Sequence, residues 1–317
     1  MQQQKIVILG TGGTIAGTSG NPSSNIDYTA AQVGVSQLVN TLEGLGGAVE
    51  TEQVTQIDSK DMSFEVWTAL ANRVQHHLLK DDVQGVVITH GTDTLEETAY
   101  FLQAVLNPAK PVVLTCAMRP ASALTPDGPQ NILDAIAVAR YTGSRGVVAV
   151  CSGSIHSALD VQKVHTYQLN AFGSGDAGAL GFIEESSLRL VRDWPKSNIL
   201  HAQSAIDNIA ILNQVKVWPK VEIVMNCAGA SGALVDALVL LGVQGVIVAG
   251  TGNGTVHQSL QAALLKAQAK GVQIIRATRC TQGRVLARLD DSFPASNGLS
   301  PVKARVDLML RLMGLAG

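Results

Sequence analysis

The chain has 317 residues, 46% of them hydrophobic and 15% charged, with a formal net charge of −2, which is enough for two ordinary domains with a core in each. Aliphatic and alanine-rich composition of this kind excludes disorder, and the absence of clustered Lys and Arg removes any electrostatic basis for binding nucleic acid or an anionic membrane. No stretch reaches the ~18 apolar residues of a membrane span and MQQQKIVILG carries no apolar leader, so the sequence predicts a soluble, cytoplasmic protein acting on a small partner. The four cysteines, Cys116, Cys151, Cys227 and Cys280, lie far apart without C-x-x-C spacing and read as buried, reduced thiols.

In chain order, short β-branched apolar runs recur at 5–9 (KIVIL), 85–89 (GVVIT), 111–115 (PVVLT) and 146–150 (GVVAV). Continuous rather than alternating, they predict strands of a parallel sheet buried on both faces. Between them lie helical patterns. Residues 94–106 place Leu95, Ala99, Leu102, Val105 and Leu106 on one face, and Thr94 with Glu97 predicts a capping box. The polar stretch around Pro195 predicts a linker over 193–216, separating an N-terminal catalytic α/β domain (1–192) from a C-terminal α/β domain (217–317). In the latter, VEIVMN, GVIVAG and VQIIRA read as strands, with helices near 231–242 and 256–270 and a last helix started by Ser300 and Pro301 and ended by Gly314. The fold class is therefore α/β, a larger parallel-sheet domain followed by a smaller flavodoxin-like one.

The first strand runs directly into ILGTGGTIAG, residues 8–17. A phosphate-binding P-loop would need Lys where Thr18 stands, and a dinucleotide fingerprint would need Gly where Ile15 stands. What remains is a tight glycine turn at the carboxyl end of a strand, the edge at which open α/β sheets hold ligands. A second such turn, THGTDTLEET at 89–98, lifts Thr92 beside Asp93. A threonine hydroxyl is a poor nucleophile unless activated. Lys163, in ALDVQKVHT after another strand, is a candidate activator, because a desolvated lysine can accept a proton. His90 reads as a packing residue. His76 and His77 cannot face one metal together, and no metal-ligand spacing occurs.

TGGTIAG and HGTDTLEETAYFL, with IDSKDM, AMRP, DGPQN, DVQK and GTGNG further along, resemble the bacterial-type L-asparaginase and glutaminase-asparaginase family over nearly the whole chain. The resemblance implies hydrolysis of L-asparagine to aspartate and ammonia without cofactor or metal, while the positive charge that two departures from the family, Lys60 and Arg288, add near the site predicts low glutaminase activity. It assigns the nucleophile to Thr14, its tyrosine partner on a mobile loop to Tyr28, and the second threonine, its aspartate and the lysine to Thr92, Asp93 and Lys163. It also implies that Ser59 holds the α-carboxylate, Asp93 the α-ammonium, and the Ala117 backbone borders the amide. Asn253 would reach the site from a neighbouring protomer of a homotetramer. Two positions depart from the family: Lys60 stands beside the substrate where secreted members carry a polar or acidic residue, and Arg288 lies about where their second-domain acid falls, with Asp290 or Asp291 as substitutes. An amino-acid sensor of the same fold is the alternative, and a pure binder has no chemical need for the set Thr14, Thr92, Asp93 and Lys163.

Overall fold

The structure, a computed structural model, describes residues 4–195 and 205–315. The first compact unit ends at Ile209 and the second begins at Ala210. In the first, the elements are β1 (Lys5–Gly12), α1 (Val35–Asn40), β2 (Ala48–Ile57), α2 (Phe64–Leu78), β3 (Val83–Thr89), α3 (Leu95–Leu106), β4 (Pro111–Thr115), α4 (Gly128–Arg140), β5 (Gly146–Cys151), β6 (Ser154–Ser157), β7 (Gln162–Lys163), β8 (Phe172–Gly173), β9 (Gly181–Glu184) and β10 (Ser187–Leu190).

The large sheet has the order β10-β9-β6-β5-β4-β3-β1-β2. Its β2-β1-β3-β4-β5 half is parallel, as the apolar runs predict, and β1, β4 and β5 are buried almost throughout. The sheet as a whole is mixed, because β6, β9 and β10 extend the expected parallel part with antiparallel strands. The β5–β6 hairpin turns on Ser152 and Gly153 and the β9–β10 hairpin on Glu185 and Ser186, all at positive φ, so each reverses the chain in two residues and adds an antiparallel strand. Strand β2 carries no continuous apolar run. Its AVETEQVTQI is half-buried at the sheet edge, where one neighbour suffices.

Alternation along the strands supplies two cores. Ile6, Ile8, Val87, Val113 and Val148 meet Val35 and Val39 of α1 and Ile132, Ala135, Ile136 and Ala139 of α4. The intervening Val7, Leu9, Val86 and Ile88 are fully buried on the other face, where α2 and α3 contribute Trp67, Leu70, Val74, Phe101 and Leu102. Trp67 and Phe101 stack with centroids 4.9 Å apart. Trp194, just past the expected domain end, joins the first of these cores. Within the stretch read as linker, Ala205–Gln214 forms helix α5, and Asn208 Nδ2 donates to the Val105 carbonyl at 2.8 Å. The part of that stretch at 196–204 lies outside the described residues.

The second unit holds β11 (Val221–Met225), α6 (Ala233–Leu240), β12 (Gly245–Gly250), α7 (Gln258–Ala269), β13 (Gln273–Thr278) and α8 (Pro301–Leu312). Its strands form a separate parallel sheet, β11-β12-β13, flavodoxin-like in its layering of helices on parallel strands. Val224, Val246, Val248 and Ile274 pack against α6 and α7. Ser300 caps α8 by accepting from Lys303 N, and Gly314 follows its end at φ 76°.

Candidate active site

Three strand ends meet at the carboxyl edge of the large sheet. The Gly13 N–H donates to the Ile57 carbonyl at 2.8 Å, fixing the turn after β1 to the end of β2. Gly13 has φ 81°, and a side chain there would fall on the backbone of Gly91; one on Gly91 would strike the Ser59 side chain. Both positions are therefore confined to glycine, and their contact brings the turns after β1 and β3 together. A short 3-10 turn, Thr14–Ala16, then presents Thr14, which is 7% exposed, while the second turn presents Thr92 at 6%.

The two hydroxyls have different partners. Thr14 Oγ1 lies 2.7 Å from the Tyr28 phenol oxygen. Tyr28 comes from the loop that the Thr18–Thr29 bridge closes, and Ser19 N–H donates to Ser122 Oγ at 2.7 Å while Leu124 N–H donates to the Pro22 carbonyl at 3.1 Å. Thr92 Oγ1 instead receives a hydrogen bond from Lys163 Nζ at 2.8 Å, and the same ammonium pairs with Asp93 Oδ1 at 2.6 Å. Lys163 sits on β7, and its backbone N–H approaches Glu96 Oε1 at 3.4 Å. The sequence-predicted set Thr14, Tyr28, Thr92, Asp93 and Lys163 thus forms two hydrogen-bonded groups on touching turns.

Ser59, 3% exposed, serves as a strut: its Oγ accepts from the Asp93 N–H at 3.2 Å and its carbonyl accepts from Thr94 Oγ1 at 2.8 Å. That second bond overturns the capping box, since the Thr94 hydroxyl is drawn to Ser59 and makes no cap hydrogen bond. Beneath the turn, His90 is fully buried, and desolvation pushes its pKa down to about 4. Its ring is neutral and held at both nitrogens. Nδ1 donates to the Gly91 carbonyl at 2.7 Å, so Nε2 accepts from Thr98 Oγ1 at 3.0 Å, and Trp67 Nε1 donates to that hydroxyl at 2.9 Å. Expected only to pack, His90 also anchors the carbonyl preceding Thr92.

Ala117, 1% exposed, lies in the segment after β4. Asp127 accepts from the Met118 and Arg119 N–H groups at 3.0 and 2.9 Å, and Asn131 Nδ2 donates to the Cys116 carbonyl at 2.9 Å. These two struts were missed although DGPQN contains both, because their work is done on backbone atoms that no side-chain pattern reveals.

Lys60 has a 60%-exposed side chain whose ammonium pairs with Asp61 at 2.7 Å and Asp58 at 3.3 Å. Asn253, in the second unit, brackets Leu286: its Nδ2 donates to the Leu286 carbonyl at 3.1 Å and its Oδ1 accepts from the Leu286 N–H at 2.7 Å. Asp291 is committed to the Arg288 N–H, the larger cause of its lowered pKa, and to the Arg276 guanidinium. Cys227 and Cys280 are exposed, contrary to the expectation that all four thiols are buried; both follow the last residues of β11 and β13, outside the sheet core. Among the described residues, no group of three or more His, Cys, Asp or Glu is arranged to hold a metal ion, and no helix is long and apolar enough to cross a membrane.

Two family profiles match, "Asparaginase, N-terminal" over residues 5–196 and "Glutaminase/Asparaginase C-terminal domain" over 220–314. The chain is 39% identical to "L-asparaginase 2" of Escherichia coli (strain K12), over 97% of this chain and 88% of that one. It is 37% identical to "Glutaminase-asparaginase" of Pseudomonas fluorescens biotype A, over 97% and 86%. A solved structure, "Crystal Structure of Probable Cytoplasmic L-asparaginase from Campylobacter jejuni", superposes with a TM-score of 0.90 at 34% identity, covering 98% of this chain and 95% of that one. With both domains matched in sequence and the fold matched along nearly its whole length, the chain belongs to the asparaginase family.

Proposed function

We propose that the protein is an L-asparaginase, hydrolysing L-asparagine to L-aspartate and ammonia through a threonine nucleophile and an acyl-enzyme, with lower activity on L-glutamine. The observation that carries this reading is the pair of nearly buried hydroxyls on touching turns, Thr14 bonded to a phenol and Thr92 to a lysine. Thr14 Oγ1 attacks the carboxamide carbon while its proton leaves along the hydrogen bond to Tyr28. The C–N bond breaks as the amide nitrogen takes up the proton relayed through the Tyr28 hydroxyl, ammonia departs, and an aspartyl ester remains on Thr14. Thr92, oriented by Lys163 and Asp93, guides the water that hydrolyses the ester.

Substrate recognition follows from the same edge of the sheet. Ser59 receives the α-carboxylate, Asp93 the α-ammonium, and the backbone at Ala117 borders the amide. The bonds from Lys60 to Asp58 and Asp61 favour a side chain turned from the substrate, so its charge does not oppose the α-ammonium. The ion pair of Asp291 with Arg276 disfavours it as the second-domain acid and leaves Asp290 as the other substitute. The reading extends to a cytoplasmic homotetramer in which Asn253 reaches the site of a neighbouring protomer; it rests on likeness to the family, and a tetrameric mass by light scattering tests the assembly.

Ammonia release from L-asparagine and L-glutamine by the purified protein, beside folded Thr14→Ala and Thr92→Ala variants, tests the function. Turnover of asparagine lost in both variants is the expected result. A folded wild-type protein that binds asparagine and releases no ammonia points instead to an amino-acid sensor.

A further inference from the structure

Two thiols stand at the carboxyl edge of the large sheet beside the segment that carries Ala117. Strands β4 and β5 pair in parallel with Thr115 opposite Val150, so Cys116 and Cys151 are the next residues of each. Their Sγ atoms lie 3.2 Å apart, and the residues are 2% and 4% exposed. Adjacent strands are ~4.8 Å apart, inside the ~4.4–6.8 Å Cα separation a disulfide requires. Asn131 spans the same two strand ends, donating to the Cys116 carbonyl at 2.9 Å and accepting from the Ser152 N–H at 3.0 Å. The pair is thus held in register by the sheet and by a buried amide.

We infer that Cys116 and Cys151 form a reversible oxidation site, at which a small peroxide-class oxidant closes a disulfide that shifts the Ala117 segment and slows turnover. The thiols themselves do not serve the hydrolysis, and the consequence for turnover rests on the asparaginase reading above. The neighbouring thiol and burial hold Cys116 above the usual thiol range, and the burial of both residues shields them from bulky reagents. Hydrogen peroxide is small and uncharged enough to enter. One sulfur, giving up its proton, attacks the O–O bond, which breaks to leave a sulfenic acid and one water. The second thiol then displaces the sulfenic oxygen as another water, so the new Sγ–Sγ bond costs two S–H bonds and reduces one peroxide to two waters. Drawing the sulfurs from 3.2 Å to bonding distance moves the residue before Ala117. A displacement of about 1 Å at a reacting centre can lower a rate by about a hundredfold.

The test treats the full chain with hydrogen peroxide, alkylates remaining thiols after denaturation, maps the peptides by mass, and follows asparagine turnover before and after dithiothreitol. The exposed Cys227 and Cys280 serve as internal controls. We expect a linked Cys116–Cys151 peptide, turnover reduced about tenfold or more, recovery with dithiothreitol, and a Cys151→Ala variant whose turnover resists peroxide. A Cys227→Ser/Cys280→Ser variant should respond as the wild type does. The inference fails if Cys116 and Cys151 remain alkylatable while the exposed cysteines oxidise, if the bridge forms without loss of turnover, or if Cys151→Ala is inhibited equally. The peptide map reads the bridge without reference to ammonia, so an untreated protein lacking turnover would count against the proposed function and not against the bridge.

Discussion

The turns after β1 and β3 are built alike and end in different surroundings. Each leaves a buried strand, each has a glycine where the other's backbone approaches, and each presents one threonine hydroxyl. Thr14, however, is bonded to a residue on a largely exposed loop that is tied down through Ser122 and Leu124. Thr92 is bonded to an ion pair, and its turn is rooted through His90 in Thr98 and Trp67. One local design thus yields a hydroxyl paired with a side chain from a surface loop, and another paired with an ion pair on a turn rooted in the sheet. That difference suits the first to attack and the second to orientation.

Replacing the fixed partner should have the largest effect. Lys163→Met leaves Thr92 without its charged donor and Asp93 without its counter-ion, and kcat for asparagine is expected to fall by about 10³, within the ~10²–10⁴ range of positioned acid–base groups. Tyr28→Phe removes the phenol from the Thr14 side and should lower kcat by about 10² with the fold intact by circular dichroism. Equal losses with unchanged KM in both variants would erase the distinction between the two turns.

Acid titration of stability sharpens the comparison at the root of the second turn. In the fold, His90 stays neutral down to about 4, whereas its ordinary value is 6.5. Above pH 6.5 neither state is protonated; as pH falls from 6.5 to 4 the unfolded chain binds a proton the native one refuses, so stability declines by about 3 kcal/mol. Glu52 behaves as a carboxylate of the same sign. The Arg73 guanidinium beside it, helped by His77, lowers it from 4.5 to about 2, so its contribution is full above pH 4.5 and is lost as pH falls towards 2. Urea denaturation across this range should show both segments, and Glu52→Gln should flatten only the lower one.

The smallest effect is expected at Lys60. Its ammonium is exposed and shared between two neighbouring carboxylates, so Lys60→Ala should change KM for asparagine by less than about fivefold. A larger rise would return Lys60 to the substrate shell.

Much of this arrangement is legible in the sequence. Buried runs such as GVVIT and PVVLT announce parallel strands because both faces must be apolar, and GTGGT and HGTDT announce turns because glycine permits positive φ and close backbone approach. Strand β2 was not legible, since an edge strand with polar alternation lacks that run. Nor were the antiparallel hairpins, whose turn at Glu185 and Ser186 takes positive φ without a glycine. At the site, side chains that do chemistry announced themselves by type, while Asp127, Asn131 and the Thr94 hydroxyl act on backbone groups brought near only by folding.

The division of labour between the two hydroxyls is tested most directly by acid-quenching the enzyme during asparagine turnover and mapping the peptides by mass. The account predicts an aspartyl group esterified to the peptide bearing Thr14, absent from Thr14→Ala. An aspartyl group on the Thr92 peptide instead, with Thr14→Ala still turning over, would contradict it.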